Sequence, residues 1–466
     1  MLPRMHICPL VFATLATISW AQTSMPTGTA EVPTPTAIIQ DNDGNAQTDD
    51  DVASDNQVGS QGPSKKHSFF LAGLHFSETA EGSPGADPQV SSFSDVLASA
   101  HMLSIHQRSE TAVDYLAGGD FYSGSSNYAV QQLNVQQSFL WRRSQITFLD
   151  QFGDLPGGTF GAQWFGGSGA YNLAVAGVNA VLAAPTNLSN FFSAGDFYGA
   201  GQLSRLTNVS LVQYSQSLTA RSSVSVAGGY AFTSYSHNAA QPLINNHESG
   251  AQVSYSYRLD PKDQIGVSYG FQSFQFPQLG EGKVQTNVVQ LVFSRQVSSR
   301  TSISGGVGPE FANLSGTGNG SANQINLSAY ASLSYRLRRS SLGFSYDRLV
   351  TAGSGLFAGA NTNTAQLSLT RPTRQWSLSF GVGYVRLSQL GHVLETTLAQ
   401  NYQYGFAGAA VERALRPNLN AFASYQFTDQ TSSGALCVVS GSCNLVGQGH
   451  SLTVGISLLS RPRRLE

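Results

Sequence analysis

The residues able to do chemistry in this chain are few and widely spaced. Charged side chains make up only 11% of 466 residues, less than half the share usual in a soluble protein. His67, His75, His101, His106, His237, His247, His392 and His450 are scattered, and none has metal-ligand or catalytic-triad spacing. His101 and His106 have opposite strand parity and cannot share one face of a strand. Serine is so common that one near a histidine carries no signal, and no glycine loop suited to a phosphate is present. The expectation is a protein that is not an enzyme and holds no metal or cofactor. A formal net charge of −2 gives no basic surplus for nucleic acid.

Two groups of charges could still act together. Arg258, Glu310, Arg336 and Asp347 fall on the polar side of alternating segments, where a ring of charge sets ion preference in a pore. Arg258 and Arg336 sit beside predicted turns, so their first reading is structural, as rim charges facing water. Asp150, Asp154 and Asp196 are the charges nearest a long apolar insertion and would tune selectivity if that insertion folds inward. Arg295 and Arg371 fall on the apolar side near turns, from where they can snorkel to headgroups. Cys437 and Cys443 lie six positions apart in one predicted loop, with no further ligands near for a metal. In an exported chain this reads as a disulfide pinning the loop.

The elements that position these residues announce themselves by a two-residue period. Ile325, Leu327, Ala329, Ala331, Leu333, Tyr335 and Leu337 alternate with Asn326, Ser328, Tyr330, Ser332, Ser334 and Arg336. Successive side chains of a β-strand point to opposite faces, so this segment has one greasy and one polar face. The pattern recurs from about Phe69 to Leu459 with no helical period between. Strands are expected near 68–79, 93–108, 111–119, 127–142, 144–152, 203–218, 222–236, 246–259 and 263–276. Nine more are expected near 283–298, 301–313, 323–338, 340–350, 363–371, 375–388, 396–413, 417–429 and 446–460. The total is eighteen, within a range of sixteen to twenty. Short turns, nearly all carrying or adjoining an arginine, alternate with longer Gly/Asn/Ser/Thr connections. Trp141 and Trp376 border short turns, with Tyr257 and Tyr335 near others, as an interfacial aromatic girdle requires.

Residues 1–21 read as a secretory signal peptide. Arg4 is followed by the apolar Cys8–Trp20 run, and Ser19-Trp20-Ala21 offers small residues for cleavage after Ala21. Residues 22–66 are rich in Thr, Pro, Asp, Gln and Gly without aliphatic clusters, and they read as a disordered periplasmic extension. Their acidic run, Asp41 to Asp51, lacks the glycine placement and closing Glu of an EF-hand. Residues 67–466 form the remaining domain. Within it the insertion at 153–202 carries Trp164, Phe191, Phe192, Phe197 and Tyr198. It either folds into the lumen and narrows it, or makes an ordered cap or an extra hairpin.

Taken together, alternation, turn asymmetry, signal peptide and even strand number resemble a porin-like outer-membrane β-barrel of Gram-negative bacteria over residues 68–460. The fold class expected is therefore all-β, a transmembrane antiparallel up-and-down barrel. The resemblance implies outer-membrane lipid as surroundings, small polar solutes diffusing passively, and a homotrimer. The chain departs from that pattern in its last strand, Leu452 to Leu458, which carries no aromatic. Two functions stay open: a diffusion channel, or a plugged barrel serving as a surface-binding or scaffold protein.

Overall fold

The computed structural model describes residues 68–82, 90–122, 127–155, 205–235, 244–279, 282–316, 321–353, 355, 357–373, 375–390, 401–432, 447–461 and 463–464. Residues 1–66, Asp196, most of the 153–202 insertion, Cys437 and Cys443 lie outside these.

The first strands are β1 (Phe69–Gly82), β2 (Val90–Ile105), β3 (Ser109–Tyr122), β4 (Tyr128–Leu140), β5 (Ser144–Leu155) and β6 (Arg205–Ser217). Then come β7 (Ser222–Tyr235), β8 (Asn246–Arg258), β9 (Asp263–Phe276), β10 (Gly282–Ser298), β11 (Thr301–Ser315) and β12 (Ser321–Leu337). The last are β13 (Ser340–Thr351), β14 (Ala360–Pro372), β15 (Trp376–Gln389), β16 (Asn401–Arg416), β17 (Leu419–Ser432) and β18 (Gly447–Leu459). Each strand pairs antiparallel with its sequence neighbours, and β1 pairs with β18 to close the sheet. A two-residue bridge from Arg463–Arg464 to Phe69 and Phe70 extends that closure. The eighteen strands and the up-and-down topology match the sequence reading. The main difference is length: β14, expected at 363–371, spans Ala360–Pro372, and β11 runs to Ser315.

The register shows why these sequences make a barrel wall. On β8, Val253, Tyr255 and Tyr257 are exposed while Gln252, Ser254 and Ser256 are buried. Directly opposed residues in an antiparallel pair share a face, so hydroxyls meet hydroxyls on the inner wall. Ser225 and Ser254 are 2.6 Å apart, Ser223 and Ser256 2.7 Å, and Ser304 and Ser332 2.6 Å. On the outer face, Val267, Tyr269, Val289, Leu291, Phe311 and Leu327 are all exposed. Apolar outside and hydrogen-bonded polar inside is the facing a bilayer selects.

The short turns close tightly. Asp260 accepts the N–H groups of Lys262 and Asp263, both at 2.7 Å, and those bonds hold its carboxyl below the usual carboxylate range. Thr373 accepts the Trp376 N–H at 3.1 Å, and the Arg413 guanidinium lies 4.9 Å over the Trp376 ring. Trp141 and Trp376 are exposed at this rim, where an amphipathic ring belongs.

Packing is uneven along the barrel axis. At the turn end, inward-parity residues such as Ser334 and Arg336 are exposed. At the loop end, inward Glu248, Gln272, Phe274, Val284, Thr286 and Leu314 are at most 2% exposed. The apolar core of this protein therefore sits inside the wall, at one end of it.

Candidate functional site

What fills that end is the β13–β14 connection. Thr351-Ala-Gly-Ser-Gly-Leu-Phe-Ala-Gly-Ala360 has no charge and three glycines. Gly353, Gly355 and Gly359 have φ of 90°, 73° and 88°, the left-handed region that a side chain disfavours. They let the chain reverse within itself: the Phe357 N–H reaches the Gly353 carbonyl and the Gly359 N–H the Ala352 carbonyl, at 3.2 and 3.0 Å. At its base, the Thr351 and Thr362 hydroxyls are 2.7 Å apart.

The reversed tip turns into the barrel. Val350, Ala352 and Ala358 join one buried cluster with Phe274 and Phe276 of β9, Val284 of β10, and Ala312 and Leu314 of β11. Its far end reaches the β7–β8 region, where the Gly355 carbonyl accepts the Ile244 N–H at 2.9 Å. A Cβ on Gly355 would meet the Tyr235 ring at 2.6 Å. Phe357 is fully buried, a gain of about 1.5–3 kcal/mol for one such side chain. A second cluster joins Leu349 at the base of the tip to Val288 of β10, Leu149, Leu211, Ala227 and Ala231. Beyond these, Leu387 of β15 and Tyr402 and Tyr404 of β16 are buried on the inner face, and the Tyr402 hydroxyl donates to Gln430 at 3.0 Å.

Polar contacts fix the tip where apolar ones end. Glu310 of β11 is completely buried and accepts the Val350 N–H through both carboxylate oxygens. Neighbouring inner-wall groups are also satisfied. Gln272 donates to Glu248 at 3.1 Å, Thr286 donates to Gln272 at 3.3 Å, and Gln290 donates to Ser328 at 2.8 Å. On the opposite arc, His75 is held between Ser457 at 3.0 Å and Ser99 at 2.8 Å. His101 pairs with Asp114. Asp95 accepts from Ser77 at 2.9 Å and stands opposite Asp120 in the β2–β3 register.

The residues singled out from sequence divide by facing. Glu310 and Asp347 lie on the inner wall close to the tip; Asp347 stands opposite Tyr330 and Thr364. Arg258 and Arg336 have inward parity at the turn end, away from the tip, and their backbone N–H groups bond the Arg221 and Arg300 carbonyls. Arg295 and Arg371 have outward parity, and Arg295 pairs with Asp263 at 3.4 Å. Asp150 and Asp154 require a correction, because they share strand parity with exposed Phe148 and so belong to the outer face. Asp150 is satisfied there by Ser210 at 2.5 Å and Asn208 at 3.2 Å. Proximity to the insertion suggested the lumen; the one-residue register decides otherwise.

Sequence reasoning passed over the tip itself and the inner groups Asp95, Asp114 and Asp120, and set His75 and His101 aside as scattered. The signal for these side chains was present in the period-two parity of β1 to β3. The tip had a weaker signal, three glycines spaced through a chargeless apolar run.

A closed eighteen-stranded antiparallel wall, apolar outside and polar within, decides the architecture. It is that of a transmembrane up-and-down β-barrel. No protein-family model matches the sequence, and no curated protein does either. Among solved structures, the chain is similar to Pseudomonas aeruginosa OccK2 (OpdF) in complex with glucuronate, at 10% identity and a TM-score of 0.43, covering 84% of this chain and 97% of that one. It is also similar to Pseudomonas aeruginosa OprD, at 9% identity and a TM-score of 0.39, covering 88% and 98%. A third likeness is to the FrpB iron transporter from Neisseria meningitidis, at 7% identity and a TM-score of 0.39, covering 88% and 84%.

Proposed function

We propose that the protein is an outer-membrane channel for small polar solutes, narrowed at its loop end by the 351–360 tip. The single observation that carries this reading is the tip's path: it leaves the wall at β13 and meets Ile244 and Tyr235, five to six strands away. Eighteen strands enclose a space wide enough for water, and the lining at the turn end is polar and exposed. On this reading the short-turn end faces the periplasm and the long connections face outward, as short and long connections are distributed in such barrels. Export by residues 1–21, a periplasmic 22–66 extension and a Cys437–Cys443 disulfide complete the proposal. The 153–202 insertion, also expected to narrow the lumen, lies almost entirely outside the described residues and stays a second candidate for that role.

The second reading, a plugged barrel that binds at the surface, draws on one observation: Tyr402, Tyr404, Phe274, Phe276 and Leu387 are fully buried inside the loop end. Planar-bilayer recordings separate the two. The comparison is between the intact chain and a variant whose residues 352–358 are replaced by a short Gly-Ser turn. Steps from the intact chain that enlarge in the variant support the channel. Steps only from the variant support the plug. Silence from both, with insertion confirmed, sinks both.

A further inference from the structure

Closing a barrel removes strand edges, yet among the described residues one edge is left without a neighbour. β12 pairs with β11 from Ser321 to Tyr335. Its pairing with β13 begins only at Ala329, opposite Arg348. No described residue pairs with the β13-facing edge of residues 321–328, because β13 leaves the wall at this level to form the inward tip. Every other neighbouring pair is zipped to within a few residues of the loop end.

The seam overlaps the lipid-facing band. Ile325 is 75% exposed and Leu327 48%, and Phe311 beside Ile325 is exposed as well. An unpaired backbone edge at that level is costly in hydrocarbon, so a polar group belongs against it. Around the seam, side-chain atoms on both faces of the wall are in the same condition. Asn326 Nδ2 on β12, Arg348 Nε on β13, and Asn361 Oδ1 and Thr364 Oγ1 on β14 are buried without a hydrogen-bond partner. Thr364 is 5% exposed. Glu310, opposite Asn326, has both oxygens engaged by Val350, so neither Arg348 Nε nor Asn326 Nδ2 is hydrogen-bonded to it. The apolar cluster of Val350, Ala312 and Leu314 lies alongside.

We propose that the β12–β13 seam is a lateral portal for an amphiphile with an apolar tail and an anionic head, of the long-chain carboxylate class. The head meets Arg348 and Asn326, and the tail lies along Ile325 and Leu327 or against the Val350 cluster. The path joins the outer leaflet to the lumen beside the tip, separate from the axial route for polar solutes. The proposal rests on the barrel spanning a membrane, and not on the axial channel being open.

The test uses the full-length protein in lipid nanodiscs with a hexadecanoic acid bearing a mid-chain diazirine. After photolysis, labelled residues are mapped by mass spectrometry. Label concentrated severalfold on 325–328 and 348–361, and competed by unlabelled hexadecanoate, is the expected result. Label spread over the outer face, including Leu291 and Tyr384, overturns it. Ser328 and Leu349 would be the next rung of the β12–β13 ladder, so S328C/L349C closes the seam when oxidised. Oxidation should lower seam labelling severalfold and reduction restore it. Unchanged labelling in protein shown to be oxidised also overturns the portal. If the pair does not oxidise, R348A supplies the second variant: it should weaken labelling by the acid and leave labelling by its methyl ester unchanged. Equal loss for both ligands would count against head recognition. Conductance recorded on the same preparations reports the axial channel separately, so the two readings fail independently.

Discussion

The carboxylate of Glu310 on β11 accepts the backbone N–H of Val350 on β13, at 3.3 and 3.2 Å, past the strand that stands between them in the wall. The bond exists only because β13 runs inside β12 at this height. A hydrogen bond to a charged, buried partner contributes about 1.5–3 kcal/mol, which corresponds to a shift on the order of 10- to 100-fold in the docked-to-undocked ratio. E310A should therefore raise time-averaged conductance and flicker, and E310Q, which keeps one acceptor, should do so less. Identical traces for E310A and wild type would show that the carboxylate does not hold the tip.

The tip's glycines supply a steric version of the same experiment. Gly355 sits at φ 73°, and a Cβ there would lie 2.6 Å from the Tyr235 ring. G355V combines backbone strain with that clash, and it should expel the tip. F357A removes a buried ring instead, at a cost of about 3–5 kcal/mol, and should loosen it without a clash. Both variants should make a cysteine placed at Ala358 react faster with a membrane-impermeant maleimide added from the loop side. Protection equal to wild type in G355V would mean the contact with Tyr235 is dispensable.

Strand number, topology and facing were legible because each rests on a local rule. Val253-Ser-Tyr-Ser-Tyr257 alternates, and the pleat turns that alternation into two faces. The tip was not legible, since nothing in Gly353 or Phe357 states on which side of the wall the chain turns. That choice depends on Phe274, Val284 and Leu314, which come from three other strands. The β12–β13 seam follows from the tip and was equally hidden. Asp150 shows a different limit: the parity it shares with Phe148 is readable in the sequence, but its place beside the insertion points the other way.

Export supplies a check on the terminus. If residues 1–21 are a signal peptide, mature protein recovered from outer membranes should begin at Gln22, as read by intact mass and N-terminal sequencing. The same sample should show no free thiol under denaturing conditions, because Cys8 would be gone and Cys437 and Cys443 joined. Retention of Met1 in membrane-inserted protein would remove the signal-peptide reading, and two titratable thiols would remove the disulfide.

Asp347 and Asp150 give the most direct test of the wall's facing. Both were expected to line a pore; the register places Asp347 inside, opposite Tyr330, and Asp150 outside, bonded to Ser210. A single lumenal charge near a permeating ion acts with about 1 kcal/mol at short range in a water-filled passage, a roughly fivefold effect on relative permeability. D347N should therefore lower the cation-to-anion permeability ratio severalfold, read from the reversal potential across a salt gradient. D150N removes the same charge from the outer face, where the barrel wall and the surrounding lipid separate it from the ion path, and should leave the reversal potential unchanged. A shift for D150N without one for D347N would mean the two faces have been exchanged, and with them every inward residue named above.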